Sequence, residues 1–147
     1  MPSFGHRSNT NLGGVHPDLA DVCRSAIRFY DFSVIWGFRG EADQNDCYDR
    51  GTSNARWPDS AHNRRIIRVN EPDTEVPDSH AVDIVPYYAT RPHIRWDQHE
   101  EFIHLAGYML MAAAILETKI IWGGDWDDDQ DLHDFNKPFD LAHFELV

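Results

Sequence analysis

The sequence predicts an α+β domain with a small, mostly antiparallel sheet packed against helices. Three observations carry that expectation. Apolar residues recur at helical spacing in two separate stretches, several short segments are rich in β-branched and aromatic residues, and there is no internal repeat or low-complexity tract beyond one acidic run. With 147 residues, 41% hydrophobic, eight Phe, five Trp and five Tyr, the chain fills one core and is short for two. A single domain over residues 1–147 is expected.

Residues 1–16 are rich in Gly, Ser and Asn and read as an irregular arm. Pro17 and Asp18 then open a helix that gathers Leu19, Val22, Cys23, Ala26 and Ile27 on one face and ends near Tyr30. "FSVIWGF", residues 32–38, has the composition of a buried strand, and Gly37 offers a bend just before Arg39. A polar helix or turn follows over 41–50. Residues 63–79 mix charges with two prolines and read as a long loop with a short edge strand at "RIIRV". "HAVDIVPYY" is a short strand stopped by Pro86. From Asp97 to Glu117 the residues Phe102, Ile103, Ala106, Met109, Leu110, Ala113, Ala114 and Leu116 keep helical spacing, which predicts the longest helix, with Asp97 as N-cap. "KIIWGGDW" is a strand breaking at two glycines, "DDDQDLHDFNKPFD" an acidic loop and "AHFELV" the last strand.

Net charge is −12, from 25 acidic against 13 basic residues, which argues against a nucleic-acid binder because phosphates are met by clustered Lys and Arg. An acidic mimic of nucleic acid has only the charge in its favour. Cys23 and Cys47 fit neither a disulfide scaffold nor a four-cysteine zinc site and read as free thiols in the core or on a helix face. The first residues lack the apolar run of a secretory signal, and no stretch approaches the ~20 apolar residues that span a bilayer. The expectation is a protein made and kept soluble in the cytoplasm, without stable membrane association, that needs help to act elsewhere.

A catalytic zinc uses three protein ligands drawn from histidine nitrogens and carboxylate oxygens and leaves a fourth position for water. Such groups stand beside strand-like segments at His62 in "SAH", at Asp83 in "SHAVD", and at Asp140 and His143 in "DLAH". A carboxylate such as Asp83 inside an apolar strand needs a metal or a cation to compensate its burial, the plainer option being an arginine from 63–79.

"WPDSAHN" at 57–63, "PDSHAVDIVPYY" at 77–88, "WGGDWD" at 122–127 and "FDLAHFEL" at 139–146 resemble, in order, the phage peptidoglycan L-alanyl-D-glutamate peptidases. That endolysin family belongs to the zinc metallopeptidase group that also holds D-alanyl-D-alanine carboxypeptidases and the hedgehog signalling domain. The resemblance covers residues 32–147. It implies His62, Asp83 and His143 as zinc ligands, Asp140 as general base, and Arg39 as stabiliser of the charge that develops on the scissile carbonyl oxygen, with Gln44 in support. It further implies a phage lysis enzyme that cuts the L-Ala-D-Glu bond of the peptidoglycan stem, a monomer held in the host cytoplasm until a holin-type partner releases it to the periplasm and cell wall.

Asp140 and His143, three apart, would face opposite ways on a continuous strand, so the motif of the resembled family needs Asp140 in the loop and His143 on the strand, with Lys137-Pro138 favouring the break. His143 and Glu145 then share the site-facing side, and Phe144 and Leu146 turn to the core. One departure from the family pattern stands out: twenty residues separate His62 from Asp83 instead of six, which reads as a surface insertion at 63–79. A rival reading makes His80 the ligand in place of His62, but His80 and Asp83 would face opposite ways on a strand.

The remaining histidines, His6, His16, His93, His99, His104 and His133, read as surface or hydrogen-bonded core residues. A structural ion pair for Arg39 stands beside its catalytic role. Asp125–Asp131 has alternating carboxylates but lacks the turn glycine and closing glutamate of a calcium loop, so it reads as a solvated acidic loop, with an ordering calcium as the alternative. The functional alternatives are a D-alanyl-D-alanine carboxypeptidase or dipeptidase with the same zinc machinery, and a non-catalytic binding module on the zinc fold.

Overall fold

The computed structural model describes residues 1–135 and 139–147. Among these, the expected irregular arm is the first correction, because it contains helix α1 (His6–Leu12). No side-chain cap signals this helix in the sequence. Tertiary bonds hold it instead: Ser8 Oγ accepts the Val34 N–H at 3.0 Å, Asn11 Nδ2 donates to the Val34 carbonyl at 2.8 Å, and Leu12 is buried.

Helix α2 (Pro17–Ala26) starts on the proline, with His16 Nδ1 accepting the Asp18 N–H, and ends at Ala26 rather than near Tyr30. Strand β1 (Phe32–Trp36) and the polar helix α3 (Glu41–Asp49) follow as the composition suggests. A 3-10 turn, Ala61–Asn63, precedes the segment expected as a loop. That segment holds a two-stranded antiparallel ribbon, β2 (Arg65–Ile67) with β3 (Glu75–Pro77), separate from the main sheet. Then come β4 (Ala81–Pro86), α4 (His99–Ile115), β5 (Ile120–Trp122) and β6 (His143–Leu146). The long helix begins later than expected: Gln98, not Asp97, sits at its N-cap and makes no side-chain cap bond. Glu100 and Glu101 in the first turn complement the helix dipole instead.

The main sheet is antiparallel in the order β1-β4-β6-β5, which makes the expected small antiparallel sheet with helices an α+β fold. Strand β4 lies between two neighbours and is buried at every position, which is why its sequence is apolar without alternation. Leu19, Val22 and Cys23 of α2, Phe102, Leu105 and Met109 of α4, and Val82, Ile84 and Phe144 of the sheet form one core. Cys23 and Cys47 are free and buried. Helices α2 and α4 therefore take one face of the sheet, and Asp83, His143 and Glu145 project to the other, where a cleft opens.

Candidate metal centre

Asp83 stands in the middle of β4, opposite Trp36 on one side and His143 on the other. Residues directly paired across antiparallel strands point to the same face, so the register alone brings Asp83 and His143 together. His62 arrives from the 3-10 turn, whose entry is fixed by Ser60: its Oγ accepts the His62 N–H, and its own N–H donates to Asn63 Oδ1. The His62 carbonyl accepts the Arg39 N–H at 3.0 Å, which ties the turn to the end of β1. Gly37 lets the end of α1 pack against the end of β1, because a Cβ there would lie 2.2 Å from the Asn11 carbonyl oxygen.

His62 Nε2 lies 3.1 Å and His143 Nδ1 3.0 Å from the same oxygen, Asp83 Oδ1. The two other ring nitrogens also have partners, His62 Nδ1 at 2.7 Å from the Gly37 carbonyl and His143 Nε2 at 2.7 Å from Glu145 Oε2. A carbonyl and a carboxylate only accept, so each outer nitrogen carries a proton. In the neutral imidazoles, two lone pairs then face a third acceptor. Such a cage is complete only with a cation, either protons or a metal. Spacings of 3.0–3.1 Å are close to the edge of about 3.3 Å that metal–ligand distances of ~2.0–2.1 Å give in a tetrahedron. The donor set of two imidazoles and a carboxylate, with ligand atoms all within 4.8 Å of one another, fits zinc.

The electrostatics report the same demand. Burial pushes the Asp83 carboxyl up, but His62 and His143 outweigh it and hold the group well below the usual carboxylate range. Burial pulls the His143 imidazole down, yet its hydrogen bonds to Asp83 and Glu145 raise it to about 10.

The arginine beside Asp83 is Arg39, not one from 63–79 as the plainer reading held. Its guanidinium reaches Asp83 Oδ2 at 2.9 Å and Gln44 Oε1 at 3.2 Å, and it packs over Trp36. Gln44 is fully buried and also donates to Ser53 Oγ and the Ala55 carbonyl, while Asn63 Nδ2 donates to the Arg39 carbonyl. Arg39 lines the cleft, so its ion pair and its place in the site are the same fact.

Asp140 lies in the turn before β6 and lines the cleft with Glu145, Trp126, Phe139 and Arg64. The cleft holds about 940 Å³. Asp140 Oδ1 accepts the Ala142 N–H, and the pKa of its carboxyl is raised, first by burial of the group against the protein and then by the charge of Asp83. Lys137 and Pro138, expected to favour the break before this turn, lie outside the described residues. Asp125, by contrast, already accepts the N–H groups of Asp129 and Gln130, so the acidic loop is ordered by its own backbone, although Asp125, Asp127 and Asp129 also bring three carboxylates together.

His80 is not in the cage. It lies beside Asp78 and His16 and does not line the cleft. Reading the sequence placed Glu145 beside His143 on the site-facing side without foreseeing its bond to Nε2, and it missed the Gly37 carbonyl, which no side-chain pattern could signal.

A family model described as phage L-alanyl-D-glutamate peptidase matches residues 2–147. The chain is 30% identical to the L-alanyl-D-glutamate peptidase of Escherichia phage T5, over 98% of this chain and 97% of that one. Among solved structures it resembles the Serratia marcescens L-Ala D-Glu endopeptidase ChiX, with a TM-score of 0.72 and 30% identity, over 98% of this chain and 89% of the other.

Proposed function

The chain belongs to the phage L-alanyl-D-glutamate peptidase family, and we propose from that premise that its cleft is the zinc-dependent active site, with His62, Asp83 and His143 as the metal ligands. The enzyme is a peptidase that cuts the peptide stem of bacterial peptidoglycan as a phage endolysin, at the bond between L-alanine and D-glutamate. The observation that carries the metal assignment is the shared oxygen: Asp83 Oδ1 is approached by two imidazole nitrogens whose opposite nitrogens are both held by acceptors.

A zinc ion in that cage supplies Lewis acidity and lowers the pKa of water toward ~7. Asp140, at the cleft and with a raised pKa, takes a proton from the attacking water at its carboxylate. As the carbon–nitrogen bond breaks, the same carboxyl returns that proton to the leaving amine of the D-glutamyl residue. Arg39 holds Asp83 in its orientation and adds positive charge beside the scissile carbonyl oxygen. Gln44 fixes the guanidinium from behind.

The finer readings belong to the same proposal. Residues 1–147 act as one catalytic domain and as a monomer, held in the host cytoplasm until a holin-type partner opens the way to the wall. No helix among the described residues is long and apolar enough to cross a membrane. A second cation of the calcium class at Asp125, Asp127 and Asp129 is tested by adding calcium at fixed zinc; an unchanged rate removes it.

The deciding experiment combines zinc analysis, peptidoglycan digestion and identification of the new amino termini. The parent protein is expected to hold zinc and to release D-glutamyl termini. His62→Ala and His143→Ala should lose the cleft zinc together with activity. Asp140→Ala should keep zinc and lose about 10²–10⁴-fold in rate. Released D-alanine would point to the carboxypeptidase, and no cleavage by the zinc-loaded parent would point to a binding module.

A further inference from the structure

His16, Asp78 and His80 take no part in the cleft, yet they repeat its chemistry: two imidazoles and one carboxylate whose ligand atoms lie within 4.8 Å of one another. We propose that these three residues form a second metal site, for a borderline divalent cation of the zinc class. It stands apart from the assignment of the cleft.

The ligands come from two distant segments held together by backbone bonds. The His16 N–H donates to the Ser79 carbonyl at 2.9 Å, and the Ser79 N–H donates to the Gly14 carbonyl at 2.8 Å. The Asp78 N–H donates to the Arg64 carbonyl and the His80 N–H to the Ala61 carbonyl. Ser79, between two of the ligands, is fully buried. The backbone is therefore set before any ion arrives, which lowers the entropy cost of binding. His80 Nε2 stands 3.4 Å from Asp78 Oδ2, close to the tetrahedral edge of about 3.3 Å. The rings of His16 and His80 meet edge to face at 5.3 Å.

The side chains are reachable: His16 is 30% exposed and His80 40%, while Asp78 at 13% forms the floor. Binding through His16 Nε2 requires its proton to sit on Nδ1, which at present accepts the Asp18 N–H. Asp18 Oδ2, 3.9 Å from Nδ1, would accept that proton, and the Asp18 N–H would give up its bond to Nδ1. The result is a carboxylate–histidine–metal arrangement at the start of α2. Two imidazoles favour zinc, nickel or copper over calcium and magnesium. A bound ion would clip residues 14–16 to the β3–β4 connection.

The test uses the full chain, stripped with a chelator and dialysed against zinc, with metal counted by elemental analysis and cobalt substitution followed by visible absorption. The parent is expected to hold two equivalents. His16→Ala, His80→Ala and Asp78→Asn should each hold one and still cleave peptidoglycan. His62→Ala should also hold one, the outer ion, without cleaving. If His80→Ala fails to fold by circular dichroism, His16→Ala and Asp78→Asn decide the count. A parent metal content that His16→Ala, His80→Ala and Asp78→Asn all leave unchanged, or loss of cleavage in folded His80→Ala, would overturn the proposal.

Discussion

Glu145 governs His143 at the level of a single atom. Its Oε2 accepts from Nε2 at 2.7 Å, which directs Nδ1 to the cage and lowers the Glu145 pKa through the same hydrogen bond. Removing an outer carboxylate of this kind costs 10–100-fold in metal affinity, roughly. Glu145→Gln is therefore expected to give up zinc to a competing chelator at correspondingly lower concentration, while Glu145→Asp retains more of the affinity. Equal affinity in all three proteins would show that Glu145 does not orient the ligand. Cys23 offers a second prediction at this scale. Burial pushes its thiol up to about 12 from an ordinary 9.0. Above pH 9 the unfolded thiol ionises while the folded one keeps its proton, so stability present below that pH declines between about 9 and 12, by up to ~1.4 kcal/mol per pH unit. Denaturant titrations of the parent and Cys23→Ala should converge in slope below pH 9 and diverge above it. Alkylation of Cys23 at pH 8 should be seen only after unfolding.

Between elements, Gly123 is the hinge of the site. The Asp140 N–H donates to its carbonyl at 2.7 Å, and its own N–H donates to the His143 carbonyl at 2.8 Å. A Cβ on Gly123 would stand 2.2 Å from the Asp140 carbonyl oxygen, so an alanine must push the base away from the cage. A displacement of about 1 Å costs on the order of 10²-fold in rate. Gly123→Ala should show that loss in kcat with zinc content unchanged, since the Cβ meets Asp140 and the ligand side chains of His62, Asp83 and His143 are oriented by the Gly37 carbonyl, Arg39 and Glu145. Loss of zinc in step with activity would instead place the damage in the ligands. The β2–β3 ribbon shows the opposite case: it lengthens the path from His62 to Asp83 while its two ends are held together by the Asp78 and His80 amides on the Arg64 and Ala61 carbonyls. Inserted length is cheap when the ends are already fixed.

At the scale of the whole molecule, a net charge of −12 opposes approach to an anionic wall polymer. Screening should relieve that repulsion, since the Debye length falls from about 30 Å at 0.01 M to about 8 Å at 0.15 M ionic strength. The expected outcome is a rise in kcat/KM on whole peptidoglycan with added salt and a flat response on a short uncharged stem peptide. A fall with salt on the polymer would mean that Arg39 and Arg64 in the cleft dominate the encounter.

By itself the sequence determined the fold class, the apolar β4, the long helix, and the identities of His62, Asp83, Asp140 and His143 as the groups worth watching. The elements follow from composition and period, which act over a few residues and leave a trace in the letters, and the four site residues stand in fragments that resemble a known family. It missed α1, because that helix is held by Ser8 and Asn11 reaching across to β1 and not by any local cap. Its plainer alternative for Asp83 named an arginine of 63–79 where Arg39 makes the ion pair, and it could not see that His80 turns toward His16. Only the tertiary structure decided these, because pairing register and long-range bonds such as that of His62 to the Gly37 carbonyl set which side chains share a point in space, and neither leaves a local pattern in the chain.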